Sequence, residues 1–123
     1  MPAQSLTWTA HRVADRASID EARRFGEALD LTMLLDEPDK LMLQTERGDV
    51  VEYCTPDAEV PAHLFRDQDV VTGFLVDDLD AAASALRTAG FESVTEPTVG
   101  GPVVFQHFRG VDGMILGLIT AAS

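Results

Sequence analysis

Val70-Val71-Thr72-Gly73-Phe74-Leu75-Val76, followed by Asp78-Leu79-Asp80-Ala81-Ala82-Ala83-Ser84-Ala85-Leu86 and then Ala89-Gly90-Phe91, decide how this chain is read. The order is strand, capped helix, glycine stop, strand. Leu79, Ala82, Ala83 and Leu86 fall on one helical face, and Gly90 supplies a left-handed stop at no steric cost. The first half repeats this grammar. Leu6 to Ala14 reads as a strand, and Ser18 opens a helix through Ala22, Phe25 and Leu29. Leu29-Asp30-Leu31 then stands where Ala89-Gly90-Phe91 stands later. Ser18 and Asp78, Leu29 and Ala89, and Leu31 and Phe91 are each 60 positions apart. Ser18-x-x-Glu21 has the form of a capping box, while Asp30 accepts a left-handed conformation less readily than glycine does.

Three short extended stretches follow each helix. In the first half they are 31–36, 40–45 and 50–54, separated by Glu37-Pro38-Asp39 and Arg47-Gly48-Asp49. In the second they are 92–96, 103–108 and 114–120, separated by Gly100-Gly101-Pro102 and Gly110-Val111-Asp112-Gly113. Each half is therefore βαβββ, one supersecondary unit used twice. The expected organisation is a single domain over 1–123, with module one at 1–55, a connection at 56–69 and module two at 70–123.

The second half, with Val-Asp-Asp-Leu-Asp at 76–80, Ala89-Gly90 and Phe108-Arg109-x-x-Asp112-Gly113, resembles the glyoxalase, bleomycin-resistance and extradiol-dioxygenase superfamily, the vicinal oxygen chelate proteins. The first half, with Ala22-Arg23-Arg24-Phe25 and Leu29-Asp30-Leu31, is similar to the other module of that family. The resemblance implies an α+β fold in which two βαβββ modules form a curved mixed sheet around a cavity.

Bulk properties set the surroundings. A chain of 123 residues that is 46% hydrophobic can bury a core. Its 9 Lys+Arg against 21 Asp+Glu give −12, which argues against a nucleic-acid backbone or an anionic membrane as partner; a solubilising acidic surface is the first reading of that charge, and attraction of a cationic guest the second. The single Cys54 forms no intrachain disulfide, and the sequence opens without a signal-peptide pattern. No apolar stretch approaches a membrane span. A cytoplasmic location is expected.

In metalloenzymes of the family, the resemblance implies, one metal ligand comes from the first strand and one from the last strand of each module. The last-strand positions here are Glu52 and Gly117, and the first strand of module two places Val71. Glycine and valine have no ligand atom. For the first strand of module one two registers are open. With the offset of 60, His11 matches Val71. With Asp15 ending the strand and Arg16-Ala17-Ser18 inserted, Trp8 takes that position and His11 points to the other face. The first register is preferred because Ser18 is the better cap. Even then only His11 and Glu52 remain, with His107 as the one histidine placed to add a third donor; a catalytic zinc takes three protein ligands and a water.

Glu52 is the strongest functional candidate, because an acid at an inward strand position must be paired, protonated or useful. A salt bridge with an arginine is its structural explanation. His11 reads as a hydrogen-bonded pocket residue, His107 as a strand histidine at the cavity rim or surface, and His63 as exposed. Trp8, Phe74 and Met114 are candidate apolar lining, with ordinary core filling as the competing reading. Gly73 and Gly117 would widen a cavity in favour of an organic ligand. No cation beside Cys54 argues for a lowered thiol pKa. Phosphate-cradling and dinucleotide loops are missing, and no Ser-His-Asp arrangement stands out.

The expected function is the binding of a small organic molecule by a homodimer, through Glu52, His11, Trp8, Phe74, His107, Met114 and Gly117, without a metal cofactor. The alternative is a metal-dependent lyase, isomerase or dioxygenase that uses a divalent ion on His11, Glu52 and His107, with Glu52 and His11 catalytic.

Overall fold

The computed structural model describes residues 2–122 and divides into two compact units. The first unit spans 7–70. It contains β1 (Ser5–Arg12) from Thr7 onward, α1 (Arg16–Ala28), β2 (Thr32–Asp36), β3 (Lys40–Gln44) and β4 (Val50–Cys54). Its strand order is β2-β3-β4-β1, with β1 parallel to β4 and the other neighbours antiparallel. The second unit takes in residues 2–6 and 71–122. There the Gln4 amide donates to the Leu75 carbonyl at 2.8 Å and its side chain bonds to Asp77.

The second unit repeats the plan. β5 (Val70–Leu75), from Val71, is followed by α2 (Leu79–Thr88), β6 (Glu92–Ser93), β7 (Thr98–Gly100), β8 (Val103–Arg109), a 3-10 turn at Val111–Gly113 and β9 (Ile115–Ala121). The order is β5-β9-β8-β6, with β5 parallel to β9, and β7 also pairing with β8. The expected strand 92–96 is thus shortened to Glu92–Ser93, and an unexpected piece forms at Thr98–Gly100. Val94 and Thr95 form a bend between them, and Pro97, which has no amide hydrogen for a ladder, precedes β7.

Both helices end alike. The Phe91 amide donates to Leu86 and that of Gly90 to Arg87, and the Leu31 and Asp30 amides donate to Gly26 and Glu27 in the same way. Gly90 at φ 97° and Asp30 at φ 56° are the left-handed residues this motif requires. The helix starts differ from expectation. Asp15, not Ser18, caps α1; its carboxylate accepts from the Ser18 amide at 3.1 Å, as Asp78 accepts from the Ala81 amide at 3.1 Å in α2. A carboxylate both satisfies an orphan amide and complements the positive helix end, which a serine hydroxyl at Ser18 would do less well. α1 is accordingly 13 residues long and α2 is 10, so the constant offset holds at the helix ends and not at their beginnings.

Each helix covers one face of its own sheet. Ile19 and Ala22 of α1 pack on Leu41 and Leu43 with Val13, Leu31, Val51 and Tyr53; Leu79 and Ala83 of α2 pack with Val76, Phe108 and Leu118, and with Phe74, Val104 and Leu116. Burying each large aliphatic or aromatic side chain is worth roughly 1.5–3 kcal/mol. The connection 55–69 forms only turns and bends, but Leu64 and Phe65 within it are buried.

Candidate functional site

Strand register sorts the candidate residues by face. In the first unit Ala10 pairs with Glu52, Arg12 with Cys54, and Met42 with Glu52, so Trp8, Ala10, Arg12, Met42, Glu52 and Cys54 share the face away from α1. His11 pairs with Tyr53 on the opposite face. Its ring stacks on Tyr53 with centroids 5.4 Å apart, and its Nε2 lies 3.3 Å from Thr9 Oγ1. The preferred register is therefore corrected: Trp8 and Val71 stand at the same distance before their caps Asp15 and Asp78, and the extra turn of α1 is the insertion. Trp8 meets Glu52, and His11 does not.

Glu52 is only 6% exposed. Trp8 Nε1–H donates to its Oε1 at 3.3 Å, and the Cys54 thiol donates to its Oε2 at 3.2 Å. The cation beside Glu52 is Lys40 rather than the expected arginine, with Nζ 3.9 Å from Oε2, an ion pair beyond hydrogen-bond length. Burial, reinforced by the charge of Glu52 and its hydrogen bond, pushes the Cys54 thiol up to about 12, with Lys40 opposing weakly. Cys54 is thus a protonated donor at neutral pH and no nucleophile. Lys40 was missed in the sequence; alternation along β3 puts it on the face of Met42, but only the pairing of β3 with β4 brings it to Glu52.

In the second unit Gly73 pairs with Gly117, as Ala10 pairs with Glu52, so the correspondence of Glu52 with Gly117 holds. His107 also pairs with Gly117, and is 3% exposed rather than at the surface; its ring lies 5.1 Å from that of Phe105. A Cβ on Gly117 would lie 3.6 Å from His107 Cδ2, an ordinary contact. Phe74 is on the other face, packed in the α2 core, because it is one residue out of step with Gly73. Met114 precedes β9 and is half exposed; His63 is half-buried in the connection.

No family model matches this chain, and no curated protein does. Solved structures do. Methylmalonyl-CoA epimerase from Mycobacterium tuberculosis superposes over 100% of this chain and 94% of its own, with a TM-score of 0.69 and 21% identity. The hypothetical protein BH1468 from Bacillus halodurans C-125 covers 97% and 95%, at 0.70 and 16%. The chain has the vicinal oxygen chelate fold. The Mn(II)-bound glyoxalase from Novosphingobium aromaticivorans matches at 0.68 and 16% identity over 96% of this chain, which spans 39% of that protein.

A metal ion is the group this fold most readily suggests, and the residues do not fit one. At the four positions to which the resemblance assigns ligands stand Trp8, whose indole nitrogen only donates, Val71 and Gly117 without donor atoms, and Glu52 as the single carboxylate. Among the described residues no group of three or more His, Cys, Asp or Glu side chains could hold a metal ion.

Proposed function

We propose that this chain binds a small organic guest through Glu52, without a metal ion, as a cytoplasmic homodimer. The observation that carries this reading is a carboxylate buried on the face of the first unit's sheet away from α1 and only loosely satisfied. A 3.3 Å indole contact, a thiol and an ammonium at 3.9 Å leave lone pairs on both oxygens, and a buried carboxylate gains most from charge-assisted donors. An amine or another donor-bearing guest supplies them, while Trp8 and Met42 offer an aromatic face and an adaptable thioether beside it. The net charge of −12 favours the approach of a cation.

A free, buried Cys54 suits a reducing compartment. Among the described residues no helix is long and apolar enough to cross a membrane. Phe25 and Leu29, one turn apart and both exposed, are apolar surface that a second subunit would cover. The metal-dependent reading needs His11 beside Glu52, and no observation favours it.

A thermal-shift screen of small amines, followed by titration of any hit, tests the proposal. Glu52→Gln keeps the volume and removes the charge, so it weakens the guest roughly ten-fold or more. Val51→Ala, on the α1 face, lowers stability and leaves affinity in place. Equal affinity in wild type and Glu52→Gln would make Glu52 a structural partner of Lys40 and reject the site.

A further inference from the structure

We propose a second binding site, separate from Glu52, in which Arg12 and Arg66 hold the head group of a small carboxylate whose apolar body lies in the connection. A cavity of about 230 Å³ opens between the end of β1 and residues 55–66, and both arginines line it. They are two of only 9 cationic side chains in a chain with 21 acids. Among the described residues the ion pairs fall on Arg16, Arg23 and Lys40, and neither Arg12 nor Arg66 has a carboxylate at that distance.

Arg12 is oriented rather than neutralised. Its Nη1 donates to the Phe65 carbonyl at 3.2 Å, which ties the guanidinium to the cavity wall and leaves its other donors open. Thr55 also lines the cavity, but its hydroxyl donates to Asp39 at 2.8 Å, and that acid is matched by Arg16 at 2.9 Å. Unpaired guanidinium forks in an acidic protein are the chemistry that recognises an external oxyanion.

The remaining walls narrow the class. Pro56, Val60 and Phe65 are apolar, so they favour a carboxylate bearing a ring or short chain over a bare inorganic anion. The volume admits a single ring with its head group and excludes a nucleotide.

Benzoate, titrated into the full chain and followed by backbone amide shifts, tests this inference, with benzyl alcohol and inorganic phosphate as comparisons. The expected result is saturable benzoate binding with shifts confined to β1's end and residues 55–66, and no comparable response to benzyl alcohol or phosphate. Arg66→Gln, on an exposed side chain, weakens benzoate roughly ten-fold. Arg24→Gln, which removes an exposed charge on α1, leaves it unchanged. Arg12→Gln also removes the bond to Phe65, so Arg66→Gln carries the comparison. No saturation at millimolar benzoate, equal affinity in Arg66→Gln, or phosphate binding as tightly as benzoate would overturn the assignment.

Discussion

Glu52, Cys54 and Trp8 act as one hydrogen-bonded group, and substitutions within it have separable outcomes. Glu52→Ala strips the half-buried Trp8 indole of its acceptor and costs about 1–3 kcal/mol, whereas Glu52→Gln keeps an acceptor and stays closer to wild type; urea midpoints distinguish them. With its pKa pushed up to about 12, the Cys54 thiol resists alkylation at neutral pH in the folded protein and reacts once denaturant is added. Rapid alkylation of the native chain would contradict that environment. The helix stops give a third pair of expectations. A Cβ at Gly90 meets nothing within 4 Å, so Gly90→Ala measures backbone strain alone and destabilises by about 1 kcal/mol, while Asp30→Gly relieves strain at φ 56° and stabilises by about 0.5–1 kcal/mol. Both stops were legible in the sequence, because the left-handed preference is local. The Lys40 and Trp8 contacts to Glu52 were not, because they depend on which strands become neighbours.

α1 carries the main lesson at the level of elements. Ser18-x-x-Glu21 and Asp15-x-x-Ser18 both satisfy local capping rules, and only the register of β1 against β4 decides between them. The constant offset favoured Ser18; the added turn of α1 overrode it and sent His11 to the α1 face. β6 and β7 show a second case, where the expected strand 92–96 stops at Ser93 and pairing with β8 resumes only at Thr98, after Pro97. Packing between α1 and β3 is also a tertiary fact. A Cβ on Gly26 would fall 2.8 Å from Leu43 Cδ1, and Leu43 is fully buried with little room to yield. Gly26→Ala therefore loses stability, about 1–3 kcal/mol of overpacking exceeding the roughly 1 kcal/mol of helix propensity it gains. An increase in the urea midpoint would show that α1 sits further from β3 than the contact requires.

At the scale of the whole molecule, the βαβββ duplication was readable because turn residues and helix stops repeat along the chain, and the fold shared with the epimerase and glyoxalase structures rests on that repeat. The candidate site was readable only in part: Glu52, Val71 and Gly117 were placed by counting along strands, while the partner of Glu52 was not. A homodimer is expected, and sedimentation at micromolar concentration giving only a 13.3 kDa species would reject it. Whether Glu52 serves an organic guest and not a metal ion is decided by elemental analysis of protein purified without chelators. The predicted result is far less than one transition metal per chain, the same in wild type and Glu52→Gln. One metal per chain in wild type, lost in Glu52→Gln, would contradict the organic-guest reading.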